Sequence, residues 1–161
     1  MIAIASDHAG YELKGTIIKY LIKQNIPYED FGTCDCTTSV DYNDFGERVA
    51  VAVSKATHDK GIIICGTGIG ISISANKVPG IRAALCTNCF MAKKSREHND
   101  ANILALGGRI TGADLAVEIV DTWLNTPFSG VDRHQRRVDK FAAIEKKYST
   151  CCSAIKNKTG G

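Results

Sequence analysis

A three-layer, Rossmann-like α/β fold is the class this chain predicts: a five-stranded parallel sheet in the order 2-1-3-4-5, helices on both faces, and a C-terminal helix. Three observations carry the prediction. Short apolar runs alternate with amphipathic stretches along nearly the whole sequence. The apolar runs are continuous, as strands buried on both faces require. One of them, Ile62-Ile63-Ile64-Cys65, passes straight into a glycine-rich turn and then a helix-forming stretch, the usual strand-to-helix passage of such sheets.

The first strand covers residues 2–6, and the helix after it shows Leu13, Ile17, Tyr20 and Leu21 on one face. A short second strand at 28–31 precedes a polar loop at 32–43. The second helix carries Phe45, Val49, Ala52, Val53 and Ala56 as one stripe. The third strand is 62–65, and residues 72–77 open the next helix. The fourth strand, 81–86, follows the Pro79-Gly80 turn. A helix through about Glu97 leads to the fifth strand, 102–106, which Gly107-Gly108 breaks. The next helix presents Leu115, Ile119 and Trp123. The last, 131–148, offers Val138, Phe141, Ala142 and Tyr148. Residues 1–148 form the single domain. Residues 149–161, ending Lys156-Asn157-Lys158-Thr159-Gly160-Gly161, lack a periodic face and are expected to be a mobile tail.

Composition bounds the function classes. A chain of 161 residues buries a full core without staples. Its net charge of +3 is too small and dispersed for nucleic acid but suits a small anionic substrate. No apolar stretch approaches membrane-spanning length, and the chain starts directly with a strand, so a soluble cytoplasmic protein is expected. Seven cysteines do not make the ladder of a small secreted domain. Cys34-x-Cys36 and Cys86-x-x-Cys89 invite a zinc reading. In the predicted order, however, three strand spacings of about 14 Å in all separate them. Reduced thiols and no metal or cofactor are expected.

The stretch from Ile62 to Ser72 holds the chemistry. A thiol ends the strand, and Gly66, Gly68 and Gly70 let the backbone approach a ligand. Amide donors and a helix N-terminus beside a cysteine stabilise a thiolate. Neither standard nucleotide fingerprint is met. Ile71 stands where a dinucleotide site needs its third glycine, and no Gly-Lys-Ser/Thr follows. A strand-end cysteine is also a common small buried hydrophobe.

Reading the strand ends together adds Asp7-His8 after the first strand, Gly107-Gly108-Arg109 after the fifth, and His98-Asn99-Asp100 just before it. All are expected at one sheet edge with the basic face of Arg133, His134 and Arg137. Guanidiniums on one helix face suit a phosphate. Each member has a structural alternative. Ser6 or Asp7 can cap the first helix. His98 and Asn99 can end a helix, with Asn in the left-handed cap. Arg133 and Arg137 can form a solvated stripe.

With these motifs the chain resembles the type B ribose-5-phosphate isomerase family, which includes galactose-6-phosphate isomerase subunits and allose-6-phosphate isomerases. The resemblance rests on Ser6-Asp7-His8-Ala9-Gly10, Asp41-Tyr42, Cys65 through Ile71, Ala75-Asn76-Lys77, His98-Asn99-Asp100, Gly108-Arg109 and Arg133 through Arg137. It implies that Cys65 is the base moving a proton between C2 and C1, with Thr67 beside it. It implies that the amides of Gly66, Thr67, Gly68, Ile69 and Gly70 form the oxyanion hole, and that His98 with Asp7 opens the sugar ring. Tyr42 and Asn99 would contact the sugar, and His8, Arg133, His134 and Arg137 the phosphate. Arg109 would reach in from a partner in a homodimer or tetramer. One branch of the family carries a glutamate base at the position of Ile71 and lacks the cysteine, whereas this chain has the opposite combination. Asn43 replaces the family's usual proline.

Overall fold

The computed structural model describes the backbone of residues 1–156 and the side chains of residues 1–149. Five parallel strands form one sheet: β1 (Ile2–Ser6), β2 (Tyr28–Asp30), β3 (Lys60–Cys65), β4 (Ala83–Leu85) and β5 (Ile103–Gly107). The helices are α1 (Tyr11–Lys23), α2 (Tyr42–Ser54), α3 (Ile69–Ala75), α4 (Cys89–Asn99), α5 (Ala113–Asn125) and α6 (Asp132–Lys156). A short 3-10 turn, His8–Gly10, joins β1 to α1.

The observed order is β2-β1-β3-β5-β4, which corrects the predicted 2-1-3-4-5 at its far side. Burial explains the exchange. All five residues of β5 are buried, so it needs a neighbour on each side; β4 is three half-buried residues and tolerates the edge. This order puts four spacings, about 19 Å, between the ends of β2 and β4, where the two cysteine pairs lie.

Strand alternation divides the core. Ile2, Ile4, Ile62, Ile64, Leu104 and Leu106 face α1 and α5, where Ile17, Leu21, Ile119 and Trp123 are fully buried. Ala3, Ala5, Ile63, Cys65 and Ala105 face the other way, onto Phe45 and Val49 of α2 and Ile71 of α3. Cys65 therefore belongs to the α2–α3 side of the sheet.

Several helix boundaries differ from the predicted ones. Helix α3 starts at Ile69, inside the glycine turn, and α2 already includes Tyr42, which was expected in a loop. Ala56 lies beyond α2 with φ +56° and is exposed. Leu115 is 39% exposed because Ala116 and Val120 take the buried positions on α5. Helix α6 runs on to Lys156 over much of the expected tail; residues 157–161 lie outside the described residues. Among the described residues the predicted apolar face of α6 is left largely uncovered: Phe141 and Tyr148 are 40% and 62% exposed, and the neighbouring Ile144 is 55% exposed. Among the described residues, no helix is long and apolar enough to cross a membrane.

Candidate active site

Cys65 closes β3 in register with Gly107 of β5. Its Sγ accepts the backbone N–H of Gly68 at 3.1 Å. That inward turn needs φ +78° at Gly68, where a Cβ would lie 2.9 Å from the Leu106 carbonyl oxygen. The Ile69 N–H donates to Thr67 Oγ1 at 3.3 Å. Two of the five amides expected in an oxyanion hole thus have partners inside the turn, and Thr67 braces the backbone.

Asp7, His8, Tyr42, Ile73 and Arg109 join this turn around a pocket of about 500 Å3. Asp7 is 4% exposed and caps the 3-10 turn through the Gly10 N–H at 2.9 Å, so it combines the capping and pocket readings. His8 Nδ1 accepts the Val40 N–H at 3.2 Å, which leaves Nε2 as the protonated nitrogen of a neutral ring. Tyr42 lies directly on Gly70, where a Cβ would meet the ring carbon Cζ at 2.5 Å. Arg109, expected to reach into a partner's site, lines the pocket of its own chain. The β3–β5 pairing continues past both strands, with Gly108 N–H to the Cys65 carbonyl at 2.8 Å and Arg109 N–H to the Gly66 carbonyl at 3.0 Å. Those two bonds carry the Arg109 side chain alongside Gly66.

The remaining predicted residues do not join this cluster. Helix α4 runs back against the strands, so His98 and Asn99 end up at the amino edge of the sheet. Arg82, just before β4, fastens that end by donating from Nε to the Asn99 and Asp100 carbonyls at 3.0 and 2.9 Å. The left-handed cap is Asp100, φ 45°, rather than Asn99. Strand β5 then covers about 15 Å before reaching Gly107. Asn99 lines a separate groove of about 350 Å3 with Arg82, Phe141 and Ile144. His98 stacks against His134, ring centroids 4.2 Å apart. His134 is buried; its Nδ1 pairs with Ser129 Oγ at 2.7 Å and its Nε2 accepts from Arg133 Nε at 3.2 Å. Burial, with His98, Arg133 and Arg137 nearby, holds its pKa below the ordinary histidine value. Both ring nitrogens of His134 thus have side-chain partners within the chain. The residues expected at a single edge therefore form two separate clusters at opposite edges of the sheet.

A family model described as Ribose/Galactose Isomerase matches residues 2–141. The chain belongs to that family. Among its relatives, ribose-5-phosphate isomerase B of Escherichia coli is 45% identical over 146 residues, covering 91% of this chain and 97% of the relative. A putative sugar phosphate isomerase of Bacillus subtilis is 52% identical over 147 residues, with 91% and 97% covered. The solved ribose-5-phosphate isomerase B of Clostridium thermocellum superposes with a TM-score of 0.89 at 61% identity, covering 91% of this chain and 98% of that one. The Mycoplasma genitalium enzyme, solved with bound ribulose 5-phosphate, superposes at 0.86 with 42% identity, 90% and 95% covered.

Two polar contacts beside these clusters escape a reading of the sequence. Ser129 holds His134; the Ser-Gly pair before α6 signals only a turn. Asn43, noticed as the absence of a proline, donates from Nδ2 to Ser74 Oγ at 2.8 Å and so ties the start of α2 to α3.

Proposed function

We propose that this chain interconverts ribose 5-phosphate and ribulose 5-phosphate through an enediolate, working as a homodimer or a dimer of dimers. The observation that carries this reading is the buried Cys65 thiol receiving the Gly68 N–H inside a pocket rimmed by Asp7, His8 and Arg109. A proton alpha to a carbonyl is weakly acidic, so its removal needs a base and fixed donors at the oxygen that gains charge. Cys65 as thiolate takes the C2 proton of the open-chain aldose, and the electron pair moves to the C1 oxygen. Amides of the glycine turn and the Arg109 guanidinium face that oxygen. Return of the proton to C1, with the hydroxyl proton passing from O2 to O1, completes the ketose.

Ring opening and phosphate binding need the other half-site. In a two-fold dimer, each amino-edge cluster meets its partner's Cys65 pocket. The partner's His98 then acts with Asp7 on the furanose ring, and the partner's Asn99 contacts the sugar. The partner's Arg133 and Arg137 hold the phosphate opposite His8. The exposed apolar row of α6 supports such a surface between copies. Bound ribulose 5-phosphate in the Mycoplasma genitalium relative supports the five-carbon substrate. The second reading, an isomerase of allose or galactose 6-phosphate, follows from the galactose side of the family.

The test is turnover with a chelator present, comparing kcat/KM for ribose 5-phosphate, allose 6-phosphate and galactose 6-phosphate. The five-carbon sugar is expected to lead. Cys65→Ala is expected to lower kcat about 10²–10⁴-fold, the usual contribution of a general base. A higher kcat/KM for a six-carbon sugar assigns the second reading, and wild-type kcat in the alanine variant removes Cys65 from the chemistry.

A further inference from the structure

The contact between α2 and α3 sets one wall of the Cys65 pocket, and it is built from two pairs spaced a helical turn apart. Tyr42 and Gly46 lie four residues apart on one face of α2; Gly70 and Ser74 do the same on α3. Tyr42 rests on Gly70 without room for a Cβ. One turn on, Gly46 is buried against α3, where a Cβ would stand 3.0 Å from Ile71 Cγ1, 3.1 Å from the Ile71 carbonyl oxygen and 3.5 Å from Ser74 Cβ. The helices thus touch through the backbone at Gly46, closer than an alanine allows without a shift of a few tenths of an ångström. Beside this contact, Asn43 Nδ2 donates to Ser74 Oγ at 2.8 Å, and Ser74 Oγ donates to the Gly70 carbonyl at 3.1 Å. A hydrogen-bonded path therefore joins the first turn of α2 to the residue under the Tyr42 ring. A seven-residue helix has little stability of its own, so its first turn depends on bonds of this kind, together with the Ser72 hydroxyl donating to the Ile69 carbonyl at 2.8 Å and the Ile69 N–H donating to Thr67 Oγ1.

We infer that Gly46, Asn43 and Ser74 are positioning residues for the isomerisation: they clamp α2 on α3, hold the Tyr42 ring against Gly70, and so set the width of the sugar pocket and its preference for sugar length. This inference rests on the sugar-phosphate reading above. Gly46 acts by its lack of a side chain, and Asn43 and Ser74 by a bond that fixes the sliding of one helix turn on the other.

The experiment compares wild type with Gly46→Ala, Asn43→Ala, Ser74→Ala and the Asn43→Ala/Ser74→Ala double variant. For Asn43→Ala and Ser74→Ala, KM for ribose 5-phosphate is expected to rise about two- to fivefold, as for one partly solvated hydrogen bond, with kcat within twofold. The double variant is expected to match the worse single one, because both remove the same bond. Gly46→Ala is expected to move the ratio of kcat/KM for allose 6-phosphate to that for ribose 5-phosphate upward, as a wider pocket favours the longer sugar. Lower Tm with unchanged KM and an unchanged ratio in all four variants would overturn the inference, as would additive losses in the double variant. Amide hydrogen exchange over residues 66–73 provides a readout independent of turnover: all variants are expected to speed exchange there, and wild-type protection in all of them refutes the clamp. A wild-type protein that turns over none of the sugars defeats the proposed function, and exchange then decides the clamp alone.

Discussion

Cys65 is a base candidate because of where its strand ends. The same residue one position earlier would face the opposite core, against α1 and α5. His134 makes the complementary point that a histidine can matter by staying neutral. Its buried ring accepts from Arg133 while pairing with Ser129, and its pKa is held below the ordinary value, first by burial and then by His98, Arg133 and Arg137. The folded state therefore binds this proton less readily than the unfolded chain, whose histidine titrates near ~6.5. Stability from this group is full above that value and is lost as pH falls through it. Urea unfolding is expected to show a lower midpoint at pH about 5.5 than at about 7.5, and His134→Gln is expected to flatten the difference. Equal pH dependence in both proteins would show that His134 does not carry it.

At the scale of elements, the strands and long helices were legible from periodicity, because burial of continuous apolar runs leaves few other places for them. Helix α3 was legible only as a helix somewhere after the glycine turn. Its start at Ile69 depends on Gly68 turning left-handed beneath Leu106, a tertiary contact. The edge position of β4 also has a local device. Asn76, at the end of α3, accepts the Ala83 N–H at 2.8 Å and donates to the Ala83 carbonyl at 2.9 Å and the Ser72 carbonyl at 3.0 Å. Its amide occupies the outer side of the edge strand as another strand would. Asn76→Ala is expected to cost about 1–2 kcal/mol in denaturant unfolding and to raise light scattering on concentration. Unchanged values of both would reduce the motif Ala75-Asn76-Lys77 to solvent-facing polarity.

For the whole molecule, the decisive matter is that each chain carries two unlike polar clusters at opposite sheet edges, which the proposed function joins across a dimer. Cys65 and Arg109 share one; His98 and Arg133 share the other. Subunit mixing separates the possible arrangements. A Cys65→Ala chain and a His98→Asn chain, each inactive, are expected to form heterodimers with one complete site, restoring about a quarter of wild-type sites at equal mixing in a two-fold dimer. Cys65→Ala mixed with Arg109→Ala is expected to restore none, since both residues come from one chain. Recovery in the second mixture alone would return Arg109 to the partner's site, and recovery in neither, with exchange verified by mass spectrometry, would defeat the composite site.

The sequence by itself determined the α/β class, the strands and which polar groups stand at the strand ends, because period, glycine turns and residue chemistry are local properties. It also contained the clue that His98 precedes a strand, which places it at the amino edge in any βαβ unit. What only the tertiary structure decided was adjacency. Full burial of β5 sent β4 to the edge, the ladder beyond Cys65 and Gly107 kept Arg109 beside its own thiol, and the run of α4 carried His98 a strand's length away. Adjacency depends on which surfaces compete for burial across the whole chain, and no window of neighbouring residues records that competition.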